Sequence, residues 1–241
     1  SSAYSFGNEV GEAVDHARAQ VAALINAEPR EIIFTSCGTE SNNAAINSAL
    51  QTQPGKRHVI TTAVEHSANI KYGQMLEKRG VEVTWIPVDR AGQLDVHEIH
   101  EAIREDTAMV SVMMANNETG VVFPIEEIAA ICRIKGVPFH TDAVQTPGKM
   151  ELDVKALGVD YLSLSAHKLH APKGIGCLYV RQGLPYQSYI VGGGQESGRR
   201  GGTENVAYMV AFGKAAEMAT ASLGGEVERI LSMVDAVLLV V

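Results

Sequence analysis

Apolar residues at Val10, Ala13, Val14, Ala17, Val21 and Leu24 recur three and four positions apart, which predicts an amphipathic helix over residues 8–27. The run Glu31–Thr35 then predicts a short strand. Thr39 opens a second helical pattern that reaches about Leu50, before the turn Gln53-Pro-Gly-Lys56. Strand patterns at 58–62, 81–86, 107–114 and 137–141 alternate with helical patterns at 67–79, 95–104 and 124–135, the last opened by Pro124. Two further apolar runs, Val159–Ser165 and Ile175–Val180, read as buried strands separated by a short polar segment. Such alternation predicts an α/β fold, a mainly parallel sheet flanked by helices on both faces. Ligands of such sheets sit outside the carboxyl ends of the strands.

Composition narrows the class. The 241 residues, 46% hydrophobic and 20% charged, suffice for one large core. A formal net charge of −8 argues against nonspecific binding to nucleic acid or to an anionic membrane, both of which want basic surfaces. The sequence has no long uninterrupted apolar span, and its start, Ser-Ser-Ala-Tyr-Ser, lacks a signal-peptide pattern. Three widely spaced cysteines fit reduced thiols, and a cytoplasmic location is expected.

The polar segment between the last two strands carries the densest chemistry: Ser163-Leu-Ser-Ala-His-Lys-Leu-His-Ala-Pro-Lys-Gly-Ile-Gly176. A lysine held between buried strands is expected to be desolvated, which favours a neutral, nucleophilic amine able to condense with an aldehyde such as pyridoxal phosphate. The competing reading makes Lys168 an ordinary surface lysine. Gly38 and Thr39 stand where a strand meets a helix start, a place that favours a phosphate, although Thr39 could serve only as the helix cap. Asp142 ends an apolar strand, a costly position for a carboxylate without a partner. His140 and Asp142, two apart, could alternatively share a metal, but no further ligands stand at metal-ligand spacing, and no metal is expected. His66 could work as an acid or base near neutral pH or be a solvated loop residue; His170 reads as a solvated turn residue.

Taken together, Ser165-Ala-His-Lys168 with Pro172-Lys-Gly-Ile-Gly176 resembles the cofactor-lysine segment of fold-type I pyridoxal-phosphate enzymes of the class V aminotransferase branch. Within it, the match is to cysteine desulfurases of the NifS/IscS kind. Thr35-Ser-Cys-Gly-Thr-Glu-Ser41, Val64-Glu-His66, Asn116-Asn-Glu-Thr-Gly120, His140-Thr-Asp-Ala-Val-Gln145 and Gly201-Gly-Thr-Glu-Asn205 match in the same order, over roughly residues 1–220.

The resemblance implies pyridoxal 5′-phosphate as cofactor. Gly38, Thr39, Ser165, His167 and Thr203 would hold its phosphate, Asp142 its pyridinium nitrogen, and Gln145 and Asn117 its ring hydroxyl oxygen; His66 would stack on the ring and shuttle protons. Lys168 would be the catalytic lysine. In this family Thr203 reaches into the partner's site, which implies a homodimer.

The implied reaction converts L-cysteine to alanine and leaves a persulfide, whose sulfur passes to an iron–sulfur scaffold or other acceptor protein. The family's nucleophilic cysteine and substrate-clamping arginine stand downstream of Gly201–Asn205 on segments this sequence does not contain, and an upstream Leu-Asp-Asn motif is also missing. Residues 1–220 are therefore expected to form a cofactor-binding large domain. Residues 221–241 would start the connection to a small C-terminal domain, and the chain by itself would be inactive in sulfur transfer. Cys37 would sit near the wrong end of the cofactor, and Cys132 and Cys177 read as structural. The apolar tail Met233–Val241 favours self-association. Alternative readings are a dimerising cofactor-binding module without turnover and a selenocysteine lyase.

Overall fold

A computed structural model describes residues 5–238 of the chain. Its strands are β1 (Ile32–Thr35), β2 (His58–Thr62), β3 (Glu82–Ile86), β4 (Thr107–Ser111), β5 (Phe139–Asp142), β6 (Tyr161–Ser165) and β7 (Gly176–Val180). Its helices are α1 (Ser5–Leu24), α2 (Gly38–Thr52), α3 (Ser67–Glu77), α4 (Val96–Ala102), α5 (Ile125–Lys135), α6 (Val154–Leu157) and α7 (Val206–Leu238), with short 3-10 turns at Pro29–Glu31, Ala166–Leu169 and Gln195–Gly198.

The strands form one sheet in the order β1-β7-β6-β5-β4-β2-β3. Neighbours from β6 through β3 are parallel, and β7 runs antiparallel to both β6 and β1. Every residue of β1, β2, β4, β5, β6 and β7 is buried, as expected where helices cover both faces. One apolar core packs Ile60, Val110, Phe139 and Leu162 against α1, α4, α5 and α7; the other packs Val59, Met109 and Tyr161 against α2 and α3. Each such side chain contributes about 1.5–3 kcal/mol by leaving water.

Local sequence explains the element ends. α5 starts after Pro124, carries Glu126 and Glu127 in its first turn and Arg133 and Lys135 in its last, and stops at Gly136, which takes the left-handed conformation at φ 66°. α6, for which the apolar pattern offers no signal, is capped by Asp153, whose carboxylate accepts the Lys155 and Ala156 N–H groups. The pattern also extends several elements too far: α1 ends at Leu24 rather than at 27, and α3 at Glu77 rather than at 79. α4 is shorter than 95–104, and β4 closes at Ser111, although the Val112 and Met114 N–H groups still bond to β5 at His140 and Asp142.

α7 lies along α1, where a Cβ at Gly213 would come within 2.6 Å of Ala17 Cα, so glycine sets the closeness of that contact. Residue 220 falls inside α7, which runs unbroken through it. The backbone of the apolar tail continues this helix to Leu238, while Ser1–Tyr4 and residues 239–241 lie outside the described residues. Among the described residues, no helix is long and apolar enough to cross a membrane.

Candidate functional site

Five strand ends open into one cavity of about 300 Å³. The turn after β1 brings Cys37, Gly38 and Thr39, with Asn42 one turn further along α2. The turn after β2 brings His66; the chain beyond β4 brings Met113 and Asn117; β5 ends in Asp142 and continues to Val144 and Gln145; β6 ends in Ser165 and leads to His167 and Lys168. Of the residues expected from sequence, only Thr203 stands elsewhere, in a separate hollow of about 150 Å³ with Glu196, Arg200 and Asn205.

One end of the cavity is built to receive an anion. The first N–H groups of a helix lack intrahelical partners, and Cys37, the residue that caps α2, offers them no side-chain hydrogen bond. Thr39 lies inside the first turn, so the reading of Thr39 as the cap does not hold. A Cβ at residue 38 would sit 2.8 Å from Val144 Cγ2, so glycine lets the helix start close against the turn after β5. Ser165 Oγ and His167 Nδ1 are 2.9 Å apart on the facing β6 turn. Burial, then the charges of Lys168 and Lys173, hold the His167 imidazole below its ordinary pKa.

The cavity also holds a buried acid, Asp142. Burial raises the pKa of Asp142; the Val144 N–H (3.0 Å), the Asn42 amide (2.6 Å) and His66 oppose the rise. Both hydrogen-bond donors are neutral, so the carboxylate is solvated by dipoles without a direct cation. The other end of the Asn42 amide, Oδ1, is buried without a partner. Asn42 was not foreseen, though it follows Gly38 and Thr39 by one helical turn, a spacing that puts all three at one end of α2. His66 Nδ1 accepts the Ala68 N–H at 3.1 Å and so caps α3. A ring nitrogen that accepts carries no proton, so in the neutral ring the proton is on Nε2; proton shuttling by His66 requires this cap to open.

Lys168 sits on the 3-10 turn directly after β6, half-buried rather than fully enclosed by the two strands. Lys149 is close by: burial and then the Lys168 charge lower its pKa, and its ammonium donates to the Gln145 carbonyl at 2.8 Å. His170, at the left-handed end of that turn, is exposed. His140 does not share a ligand with Asp142. Its Nδ1 meets Ser111 Oγ at 2.8 Å and its Nε2 meets Ser163 Oγ at 2.9 Å, so both nitrogens are engaged inside the sheet.

The three cysteines separate by environment. Burial pushes the Cys132 thiol up to about 12 and raises that of Cys177 as well, whereas Cys37 is half-buried at the anion-receiving end of the cavity.

Comparison with known proteins agrees with this architecture. Among solved structures, a NifS-like protein superimposes with a TM-score of 0.89 at 41% identity, covering 92% of this chain and 62% of that one. SspA in complex with cysteine superimposes with a TM-score of 0.86 at 39% identity, covering 89% and 63%. In sequence, cysteine desulfurase 2 of Trichormus variabilis is 58% identical over 219 residues, 91% of this chain and 55% of the relative. A cysteine desulfurase of Bradyrhizobium diazoefficiens is 51% identical over 236 residues, 98% of this chain and 60% of the relative. The chain thus spans little more than half the length of these relatives. The family model for class V aminotransferases matches residues 1–232. With seven strands in the shared architecture and the motif residues gathered at their ends, the chain belongs to the class V aminotransferase family.

Proposed function

We propose that the chain is the cofactor-binding part of a cysteine desulfurase that uses pyridoxal 5′-phosphate. The observation that carries this reading is a single cavity that brings together an amine, Lys168, a helix start at Gly38 and Thr39 with uncapped N–H groups, and a buried acid, Asp142.

The residues present fit that cofactor. Gly38, Thr39, Ser165 and His167 offer N–H and hydroxyl donors for a phosphate. Asp142, buried among neutral donors, gains from a protonated ring nitrogen the cation it lacks. Asn117 and Gln145 line the same cavity and would serve the ring hydroxyl, and His66, also on the lining, would cover one face of the ring. Pyridoxal phosphate, when bound, supplies an electron-withdrawing ring that stabilises negative charge at the substrate α-carbon. With that cofactor bound, Lys168 would be the amine that holds its aldehyde group, and the same amine would serve as the base for the α-carbon proton of L-cysteine.

The sulfur-accepting thiol is none of the three cysteines. Cys132 and Cys177 are buried with raised thiol pKa values, and Cys37 adjoins Gly38 and Thr39, the phosphate donors. Residues 1–220 act as the large domain of the complete enzyme. Thr203, outside the cavity of its own chain, completes the phosphate site of a second copy in a homodimer. The product sulfur goes to an acceptor protein that builds iron–sulfur clusters, in the reducing cytoplasm.

Titration of the chain with pyridoxal phosphate, followed by L-cysteine, tests the reading. Saturable binding with a new visible band, and no alanine formed, is the expected result. Absence of saturable binding contradicts it, and alanine release at a steady rate contradicts the placement of the thiol outside the three cysteines.

A further inference from the structure

Glu65 is the least explained acid in the molecule. It lies between the expected strand β2 and His66, yet its side chain is turned inward and buried. Its Oε1 accepts from Thr62 Oγ1 at 3.0 Å and from the Met113 N–H at 2.8 Å; its Oε2 accepts from Asn69 Nδ2 at 2.8 Å. The donors come from three places: the end of β2, the first turn of α3, and the chain just beyond β4. A second strap runs beside it, as Asn116 Nδ2 donates to the Val64 carbonyl at 3.0 Å. The two laced segments carry His66 on one side and Met113 and Asn117 on the other, and all three line the cavity.

A buried carboxylate held only by neutral donors is a costly device. Burial pushes Glu65 up to about 7; hydrogen bonds from the Met113 N–H, Asn69 and Thr62 pull against that, while Asp142 adds to it. An apolar side chain would fill such a site with less penalty. What it could not do is bond three segments at once.

The geometry points to Glu65 as a positioning residue, which fixes His66 and Asn117 in the cavity by tying the turn after β2 to the chain beyond β4. Glu65 is not on the cavity lining; it acts through the two turns. The inference rests on the cavity reading proposed above, but its test does not depend on it.

Two substitutions separate lacing from charge. Glu65→Gln keeps the side-chain length and an acceptor for Thr62 and Met113. Its new NH2 group meets Asn69, whose Oδ1 is buried without a partner and can accept once the amide turns. Glu65→Asp keeps the charge, but one methylene is lost and the three donors can no longer be reached together.

The primary readout is the ligand-free chain: nitrogen-detected NMR of the His66 imidazole and the Asn117 amide, with His58 and His140 as remote reporters of the fold. Glu65→Asp is expected to shift His66 and Asn117 and to abolish the His66 Nδ1 acceptor signature, with His58 and His140 unchanged. Glu65→Gln is expected to keep the wild-type signals. Pyridoxal phosphate affinity should follow, falling about tenfold in Glu65→Asp and staying within about threefold in Glu65→Gln.

The reverse order, with Gln disruptive and Asp silent, overturns the inference, because charge would then be what matters. Two silent variants overturn it too. Loss of the His58 and His140 signals in both variants would show a residue needed for folding as such, and equally overturns the positioning role. If the wild-type chain binds no pyridoxal phosphate, the proposed function fails while the NMR comparison still decides Glu65.

Discussion

At the scale of single residues, the site is defined by acids and an amine placed where water cannot solvate them fully. Asp142→Asn keeps the shape and the Asn42 contact region but removes the charge that a ring cation would meet. Pyridoxal phosphate affinity is expected to drop ~10- to 100-fold, read from an absorbance titration, with little change in melting temperature. Glu65 carries a pH signature of its own. Its folded-state pKa of about 7 lies above the ordinary 4.5, so the folded chain binds more protons and stability from this group falls as pH rises from about 4.5 to 7. Glu65→Gln removes that loss: it should be more stable than wild type at pH 8, by about 3 kcal/mol at most, and equal to it near pH 4, measured by denaturant unfolding at each pH. Most of these residues were legible in sequence because the chemistry is local, as in Ser165-Ala-His-Lys168. Asn42 and Glu65 were not, since their importance comes from burial and from partners distant in sequence, Asp142 for one and Met113 for the other.

At the scale of elements, the sheet is crossed by two buried histidines that join three strands each. His140 links Ser111 on β4 to Ser163 on β6, and His58 on β2 links Thr107 on β4 to Thr84 on β3. Burial lowers the pKa of His140 from 6.5 to about 3, so the fold holds it neutral. Its contribution is fully present above pH 6.5 and is lost as pH falls toward 3, opposite in sign to Glu65. In a Glu65→Gln background, where the opposing titration is gone, stability should therefore fall steadily from pH 6.5 to 4. Adding His140→Gln should flatten that slope, at the cost of a lower plateau from imperfect bonding to the two serines. A slope unchanged by His140→Gln would assign the acid loss to other groups. Strand and helix order followed from the apolar period, since both faces of this sheet are covered. Element ends did not: α6 depends on its Asp153 cap, and the 3-10 turn at Lys168 starts where the Ala166 N–H donates to the Ile175 carbonyl at 3.1 Å, a partner nine residues away.

At the scale of the whole molecule, the chain presents Thr203 away from its own cavity and leaves apolar side chains such as Val191 and Met218 exposed. The loop behind Thr203 is firmly held: Arg18 bonds the buried Glu196 at 2.7 Å, the Phe34 N–H donates to the same carboxylate at 2.8 Å, and Arg200 bonds Glu40 at 2.8 Å. A rigid, outward-facing loop of this kind suits delivery of Thr203 to a second copy. Sedimentation velocity is expected to show a dimer, and Thr203→Ala to weaken pyridoxal phosphate binding without dissociating it; a monomer with full affinity would contradict the shared site. The expectation of a dimer comes only from the family resemblance, because no local pattern encodes which surface meets a partner.

The central claim is that Lys168 is the amine of a cofactor cavity. The direct test is to mix the purified chain with pyridoxal phosphate, reduce it with borohydride, and map the modified peptide by mass spectrometry. The account predicts one stoichiometric adduct on Lys168, lost in Lys168→Ala while the melting temperature is retained. An adduct chiefly on the neighbouring Lys149 or Lys173, or scattered labelling that survives Lys168→Ala, would contradict it.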